Sequence, residues 1–113
     1  MCMFLSLVLI MMSSTFAMAQ EKYGFKVAGV DVTGDNYLDL TEISGVSGKV
    51  SFDPNTRTLT LDNATIEIDG YNAILNQTCK DFVIELLGTN TINVTNSAGI
   101  YLCESTTIMG GSG

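Results

Sequence analysis

Apolar residues recur along this chain at intervals of 24 to 26 positions, a spacing that few folds accommodate. Ile66 and Ile92 are 26 residues apart, as are Ile74 and Ile100; Leu59 and Ile84 are 25 apart, and Ile84 and Ile108 are 24 apart. The surrounding text repeats as well. "LTLDNATIEI" (Leu59–Ile68) is answered by "IELLGTNTINV" (Ile84–Val94), "NAIL" (Asn72–Leu75) by "AGIY" (Ala98–Tyr101), and "TTIMGGSG" opens a third copy. Inside each copy apolar and polar positions alternate, as a half-buried strand requires. Each copy therefore reads as three short strands separated by Asn, Asp or Gly corners. They are Thr58–Leu61, Ala64–Ile68 and Asn72–Asn76, then Phe82–Leu86, Thr91–Thr95 and Ala98–Cys103. Three strands per lap of about 25 residues, with no helical segment, predict an all-β parallel solenoid.

Stacked laps would place like residues about 4.8 Å apart. Leu59, Leu61, Ile66, Ile68 and Ile74, followed by Ile84, Leu86, Ile92, Val94 and Ile100, are the expected inward ladders. Ahead of them, Val46, Gly48, Val50 and Phe52 alternate with Ser47, Lys49 and Ser51. "DPNT" then supplies a proline that presets a type I turn. Val46–Asp53 and Arg57–Leu61 are thus predicted to form an antiparallel hairpin that caps the N-terminal end. Solenoids generally need at least three repeats and a cap, and uncovered strand edges invite aggregation. Because the third copy is cut short at "GGSG", the expectation is the N-terminal portion of a longer protein. Residues 46–113 would be the start of the stack, and residues 20–45 the segment leading into it.

Residues 1–19 carry no charged side chain and include "MFLSLVLIMM". Ala17-Met18-Ala19 is a small-x-small pattern, so a signal peptide with cleavage between Ala19 and Gln20 is predicted, and with it a secreted or cell-surface protein. The basic start of such a peptide is missing before Cys2, so the expectation is a natural start a few residues upstream of Met1. A membrane span fits less well, since it needs about 20 apolar residues with basic flanks. No span is expected once the signal is removed.

Five basic and twelve acidic residues all follow Ala19, and this anionic balance argues against nucleic acid as a partner. There is no histidine, which excludes Ser-His and Cys-His nucleophiles and the commonest zinc ligand. After the signal, Cys79 and Cys103 remain. An even pair in an exported chain permits a disulfide, and two separate buried thiols satisfy the sequence equally well. Asp31, Thr33, Asp35, Tyr37, Asp39 and Glu42 fall on the ligand positions of an EF-hand count. Asn36 replaces the turn glycine, however, and neither flank has a helix pattern, so the stretch reads as a solvated acidic loop.

"GKVSFDPNTRTLTLDNATIE", "IELLGTNTI", "GIY" and "TTIMGGSG" together resemble a bacterial family of carbohydrate-binding-domain-containing β-helix proteins, distantly similar to pectate lyases. The resemblance spans Val27 to Gly113, with Phe52 for the usual Tyr, Met109 in the third copy, and a chain shorter than family members. It implies a right-handed parallel β-helix at a cell surface that binds polysaccharide, in some members with Ca2+. Resting on that resemblance, the calcium ligands would be Asp62, Glu67 and Asp69 on the first lap and Glu85 on the second, although a solvated acidic face explains them as readily. Tyr71 and Tyr101 could offer flat faces to sugar rings, or simply cover corners. Asn63, Asn76 and Asn93 begin N-x-T sequons that suit corners better than glycosylation. A lyase would need a base and a cationic stabiliser among clustered carboxylates. Arg57 and Lys80 do not converge with the acids in sequence. The expected function is non-catalytic polysaccharide binding, with a structural or adhesive spacer second and a lyase third.

Overall fold

Alternation produces the first long hairpin as expected. Val46, Val50 and Phe52 turn inward along one strand (Val46–Asp53), and Asp53 closes the turn by accepting the Asn55 N–H at 2.9 Å. The return strand runs Thr58–Asp69. The two pair antiparallel, with Val50 opposite Leu61 and Phe52 opposite Leu59. The computed structural model describes residues 21–110, so the predicted cleavage at Ala19–Gln20 lies outside the described residues.

In chain order the strands are β1 (Lys22–Val27), β2 (Val30–Thr33), β3 (Val46–Asp53), β4 (Thr58–Asp69), β5 (Ile74–Asn76), β6 (Phe82–Leu87), β7 (Thr91–Thr95), β8 (Ile100–Leu102) and β9 (Thr106–Gly110). A single 3-10 turn, Leu40–Glu42, sits between β2 and β3. The chain is all-β, built as two mixed sheets that are not closed into a barrel. One has the order β2-β1-β5-β8; the other is β3-β4-β6-β9, with β7 also paired to β4. Later strands add in parallel. Leu59 pairs with Ile84, Ile66 with Ile92, Ile74 with Ile100 and Ile84 with Ile108.

Two features differ from the sequence reading. β4 is one continuous strand where two were expected. Asn63 bends it with φ +48°, but β3 follows round the bend, its own irregularity falling between Ser47 and Lys49. Gly48 makes this possible: at φ +91° it tolerates the left-handed region, and a Cβ there would collide with the Asn63 carbonyl oxygen. The second difference is in residues 21–45, which form more than a lead-in. β1 and β2 make an antiparallel hairpin, and β1 pairs antiparallel with β5, Val27 lying opposite Ile74.

The core sits between the sheets. Phe25 and Phe52 have ring centroids 4.7 Å apart, and Phe25 and Phe82 4.6 Å. Leu59, Leu61, Ile66, Ile74 and Ile84 are fully buried around them, each contributing about 1.5–3 kcal/mol relative to exposure. Burial falls off toward the C-terminal strands: Ile74 is completely covered, whereas its register partner Ile100 is 38% exposed.

Candidate functional site

Along β1, Phe25 and Val27 point into the core, so the intervening Lys26 must point out. Cross-strand register carries that outward position across the whole sheet. Asp31 of β2, Lys26 of β1, Leu75 of β5 and Tyr101 of β8 form one row, one residue per strand, on the outer face. Residues in register lie close enough for their side chains to interact. The Lys22 ammonium reaches the Asp31 carboxylate at 3.6 Å, an exposed pair that orders the start of the row.

Tyr71, in the corner before β5, flanks this row. Its ring packs over Gly29, where φ is +82° and a Cβ would lie 2.7 Å from the ring. Glycine thus lets the ring lie flat against the β1–β2 turn while 58% of Tyr71 stays exposed. Beside it is a shallow recess of about 180 Å³ lined by Lys26, Tyr71, Asn72, Leu75 and Ser97. The Asn72 side-chain oxygen accepts from the Ser97 hydroxyl at 2.6 Å and from the Ala98 N–H at 3.1 Å, which ties the recess wall to the segment leading into β8. A broader depression of about 490 Å³ continues along the face, lined by Lys22, Tyr23, Lys26, Asp31, Gln77 and Thr78. Lys26 belongs to both. The Tyr23 hydroxyl is held above its ordinary pKa, first by partial burial and then by Glu21 and Tyr37. The face therefore combines two exposed aromatic rings with ammonium, amide, hydroxyl and carboxylate groups.

The acidic residues singled out as calcium ligands are not gathered into a site. Asp62 accepts from the Asn63 amide at 2.9 Å, and Asp69 from the Asn96 amide at 2.9 Å. Glu85 is met by the Thr60 hydroxyl at 3.5 Å, while Glu67 lies exposed on β4 with Asn93 as its strand neighbour. Among the described residues no group of three or more His, Cys, Asp or Glu could hold a metal ion. The EF-hand count likewise falls on unrelated structure. Asp31 is in a strand, and the Asn36 side chain accepts from the Thr33 N–H and donates to the Asp31 carbonyl. Asp39 caps the 3-10 turn; its carboxylate accepts from the Thr41 hydroxyl and N–H, which lower its pKa from the ordinary value.

Of the two arrangements that the sequence permits for Cys79 and Cys103, the disulfide is not formed, and the thiols are not both buried: both are free, Cys79 buried and Cys103 exposed. Register explains this. Ile74 and Ile100 pair 26 residues apart, but Phe82 and Thr106 pair 24 apart, so the corner between β5 and β6 is two residues longer than that between β8 and β9. Cys79 sits in the longer corner. Its N–H and carbonyl both bond the fully buried Asn76 side chain, while the Cys103 N–H goes to the Asn76 carbonyl. Burial pushes the Cys79 thiol up from its ordinary pKa. The sequon residues Asn63 and Asn76 use their amides within corners, donating to Asp62 and to Cys79 and Thr106. Arg57 reaches Asp81 at 3.8 Å, an exposed contact that sequence spacing did not suggest.

No helix among the described residues is long and apolar enough to cross a membrane. Comparison of the chain with protein-family models, with curated proteins and with solved structures gives no match.

Proposed function

We propose that the chain is a non-catalytic polysaccharide-binding protein, exported to the cell surface or secreted, and built as the start of a right-handed parallel β-helix. The parallel pairing of Leu59 with Ile84 and of Ile66 with Ile92 supports the β-helix, since it stacks equivalent positions of successive repeats. The observation that carries the binding role is the outer face of the β2-β1-β5-β8 sheet. There Tyr71, 58% exposed, lines a recess that also presents Lys26, Asn72 and Ser97, and Tyr101, 54% exposed, is the register partner of Leu75 in its wall. Aromatic faces take the apolar side of sugar rings, and convergent amide, hydroxyl and ammonium groups take their hydroxyls. A shallow, open depression suits a chain-like ligand better than a small molecule, which needs enclosure. The family resemblance of the repeat motifs points to the same ligand class.

The test is binding of the chain to a polysaccharide array, followed by titration of the best ligand with Tyr71→Ala and Tyr101→Ala. Saturable, glycan-selective binding is expected, weakened about 2- to 12-fold by each substitution, as the loss of one ring contact of ~0.5–1.5 kcal/mol requires. EDTA should leave it unchanged, because the acidic side chains are dispersed. No selective binding to any glycan would sink the proposal in favour of a structural spacer, and depolymerisation of a pectic substrate would replace it with a lyase.

A further inference from the structure

The corner after β4 and the corner after β7 are built alike but not from the same residues. Asp69 pairs with Thr95 and Ile74 with Ile100, both 26 positions apart, so the two corners match residue for residue. Gly70 therefore corresponds to Asn96, and Tyr71 to Ser97. Gly70 has φ +85° and Asn96 has φ +63°, so asparagine holds the left-handed position that glycine holds in the earlier corner. Its amide ties the corners together by donating to the Asp69 carboxylate at 2.9 Å. The next residue, Ser97, is exposed, and among the described residues its N–H has no hydrogen-bond partner. That exposure belongs to the corner and not to the last strands. Tyr71, with later strands paired beyond it, is still 58% exposed, and its N–H likewise has no partner among the described residues.

An asparagine can close a ring with the residue that follows it, provided that residue's N–H is free and its side chain does not block the approach. The other asparagines fail one condition or the other. The N–H groups of Tyr37, Ala64 and Gln77, which follow Asn36, Asn63 and Asn76, donate to Thr33, Asn90 and Gly24. Ala73, after Asn72, is fully buried. Thr56, Thr91 and Val94, after Asn55, Asn90 and Asn93, are β-branched, the last two within β7. Asp69-Gly70 is open to the same ring closure, but there the Gly70 N–H donates to the Thr95 carbonyl at 2.8 Å. Asn96-Ser97 alone meets both conditions among the described residues.

We propose that Asn96 is a modification site, deamidated spontaneously through a succinimide formed with Ser97. The Ser97 nitrogen bonds to Asn96 Cγ, the Cγ–Nδ2 bond breaks, and the Ser97 proton leaves with the amide nitrogen as ammonia. Water then opens the ring. Opening at Cγ gives aspartate, and opening at the main-chain carbonyl gives isoaspartate, in which the chain runs through Cβ. Either product turns a neutral donor into a carboxylate facing Asp69, so an attraction becomes a repulsion. Isoaspartate also lengthens the backbone ahead of Ser97 and Ala98, whose bonds to the Asn72 side chain hold the recess wall beside Tyr71. The modification loosens the outer face at its rim. This inference does not depend on the polysaccharide reading.

Peptide mapping of the chain during incubation at mildly alkaline pH should find Asn96 converted ahead of the other asparagines, as a mixture of aspartate and isoaspartate. Ser97→Thr keeps the hydroxyl that Asn72 accepts but branches the attacking residue, and should slow conversion at least about three-fold. Asn96→Asp imitates the charge change without ageing. It should lower Tm by about 2–8 °C at neutral pH. Adding Asp69→Asn returns a donor to the pair and should recover most of that loss. Earlier conversion of another asparagine, aspartate without isoaspartate, an unslowed Ser97→Thr chain, or an Asn96→Asp chain as stable as the parent would each overturn the proposal.

Discussion

Replacing Asn76 by leucine should cost far more than a change of one side chain of similar size usually does. The amide is fully buried and makes three bonds: it accepts the Cys79 N–H at 2.9 Å, donates to the Cys79 carbonyl at 2.9 Å, and donates to the Thr106 hydroxyl at 3.1 Å. Asn76→Leu strands the N–H and carbonyl of Cys79 together, at about 1–3 kcal/mol for each group. Burying leucine in place of an amide offsets about 1–2 kcal/mol of that. At the middle of those ranges the net loss is about 2.5 kcal/mol, and for a domain of this size it lowers Tm by roughly 10 °C or more. Thr106→Val removes the bond from Asn76 and the Thr106 hydroxyl's own bond to the Glu104 carbonyl, and should cost about 1–3 kcal/mol, two net hydrogen bonds. Asn76→Asp adds a signature in pH. A buried carboxylate facing the Cys79 carbonyl has a raised folded-state pKa, so the stability of that variant is present below the unfolded carboxyl value and declines as pH rises through the folded one. Urea unfolding of the three variants at acidic and neutral pH measures all of this. If Asn76→Leu unfolds within about 0.5 kcal/mol of the parent, less than one net hydrogen bond is worth, the corner is not held by its amide.

The burial gradient predicts unequal penalties at equivalent ladder positions. Ile66→Ala should cost about 2–5 kcal/mol, and Ile108→Ala, at 50% exposure, less than half of that by chemical denaturation. Iodoacetamide should alkylate Cys103 at least ten-fold faster than Cys79, because burial both shields the Cys79 thiol and raises its pKa, and urea should abolish the difference. The same shift makes stability decline at alkaline pH, as the unfolded thiol ionises before the folded one. Asp39 works in the opposite sense. Its bonds with Thr41 depress the folded-state pKa, so their contribution is present above the unfolded carboxyl value and is lost as pH falls through the folded one. The stability difference between the parent and Asp39→Asn should therefore shrink on acidification.

The parallel register was legible because pairing successive repeats demands nearly equal spacings, and the distances of Leu59, Ile66, Ile74 and Ile84 from their counterparts display that equality directly. The β1–β2 hairpin was not legible. Lys22–Val27 alternates as a strand should, but nothing in the spacing marks the turn at Ala28 and Gly29, both at positive φ, and the partner β5 lies some fifty positions further on. Without that pairing, Lys26 has no visible link to Tyr101, so the outer face could not be assembled from spacing even though both tyrosines drew notice. Acidic spacing failed for a related reason. Asp62, Glu67 and Asp69 are near in sequence, but Asn63 bends the strand after Asp62, and Asp62 and Asp69 each bond an asparagine amide while Glu67 stays exposed.

The cysteines show how one local length decides a long-range outcome. Two spacings, 24 and 26, both fit the sequence, and both are realised: 26 where β5 meets β8, and 24 where β6 meets β9. The surplus of two residues has to be absorbed in the corner between β5 and β6, where backbone groups would otherwise be buried without partners. Asn76 supplies those partners, which draws Cys79 inward, and Cys103, in the shorter corner, has no equivalent pull and stays at the surface. A bond between the two sulfurs would require equal corners, and equal corners would leave Asn76 with no loop to hold. The free thiols and the buried asparagine are thus consequences of the same two extra residues.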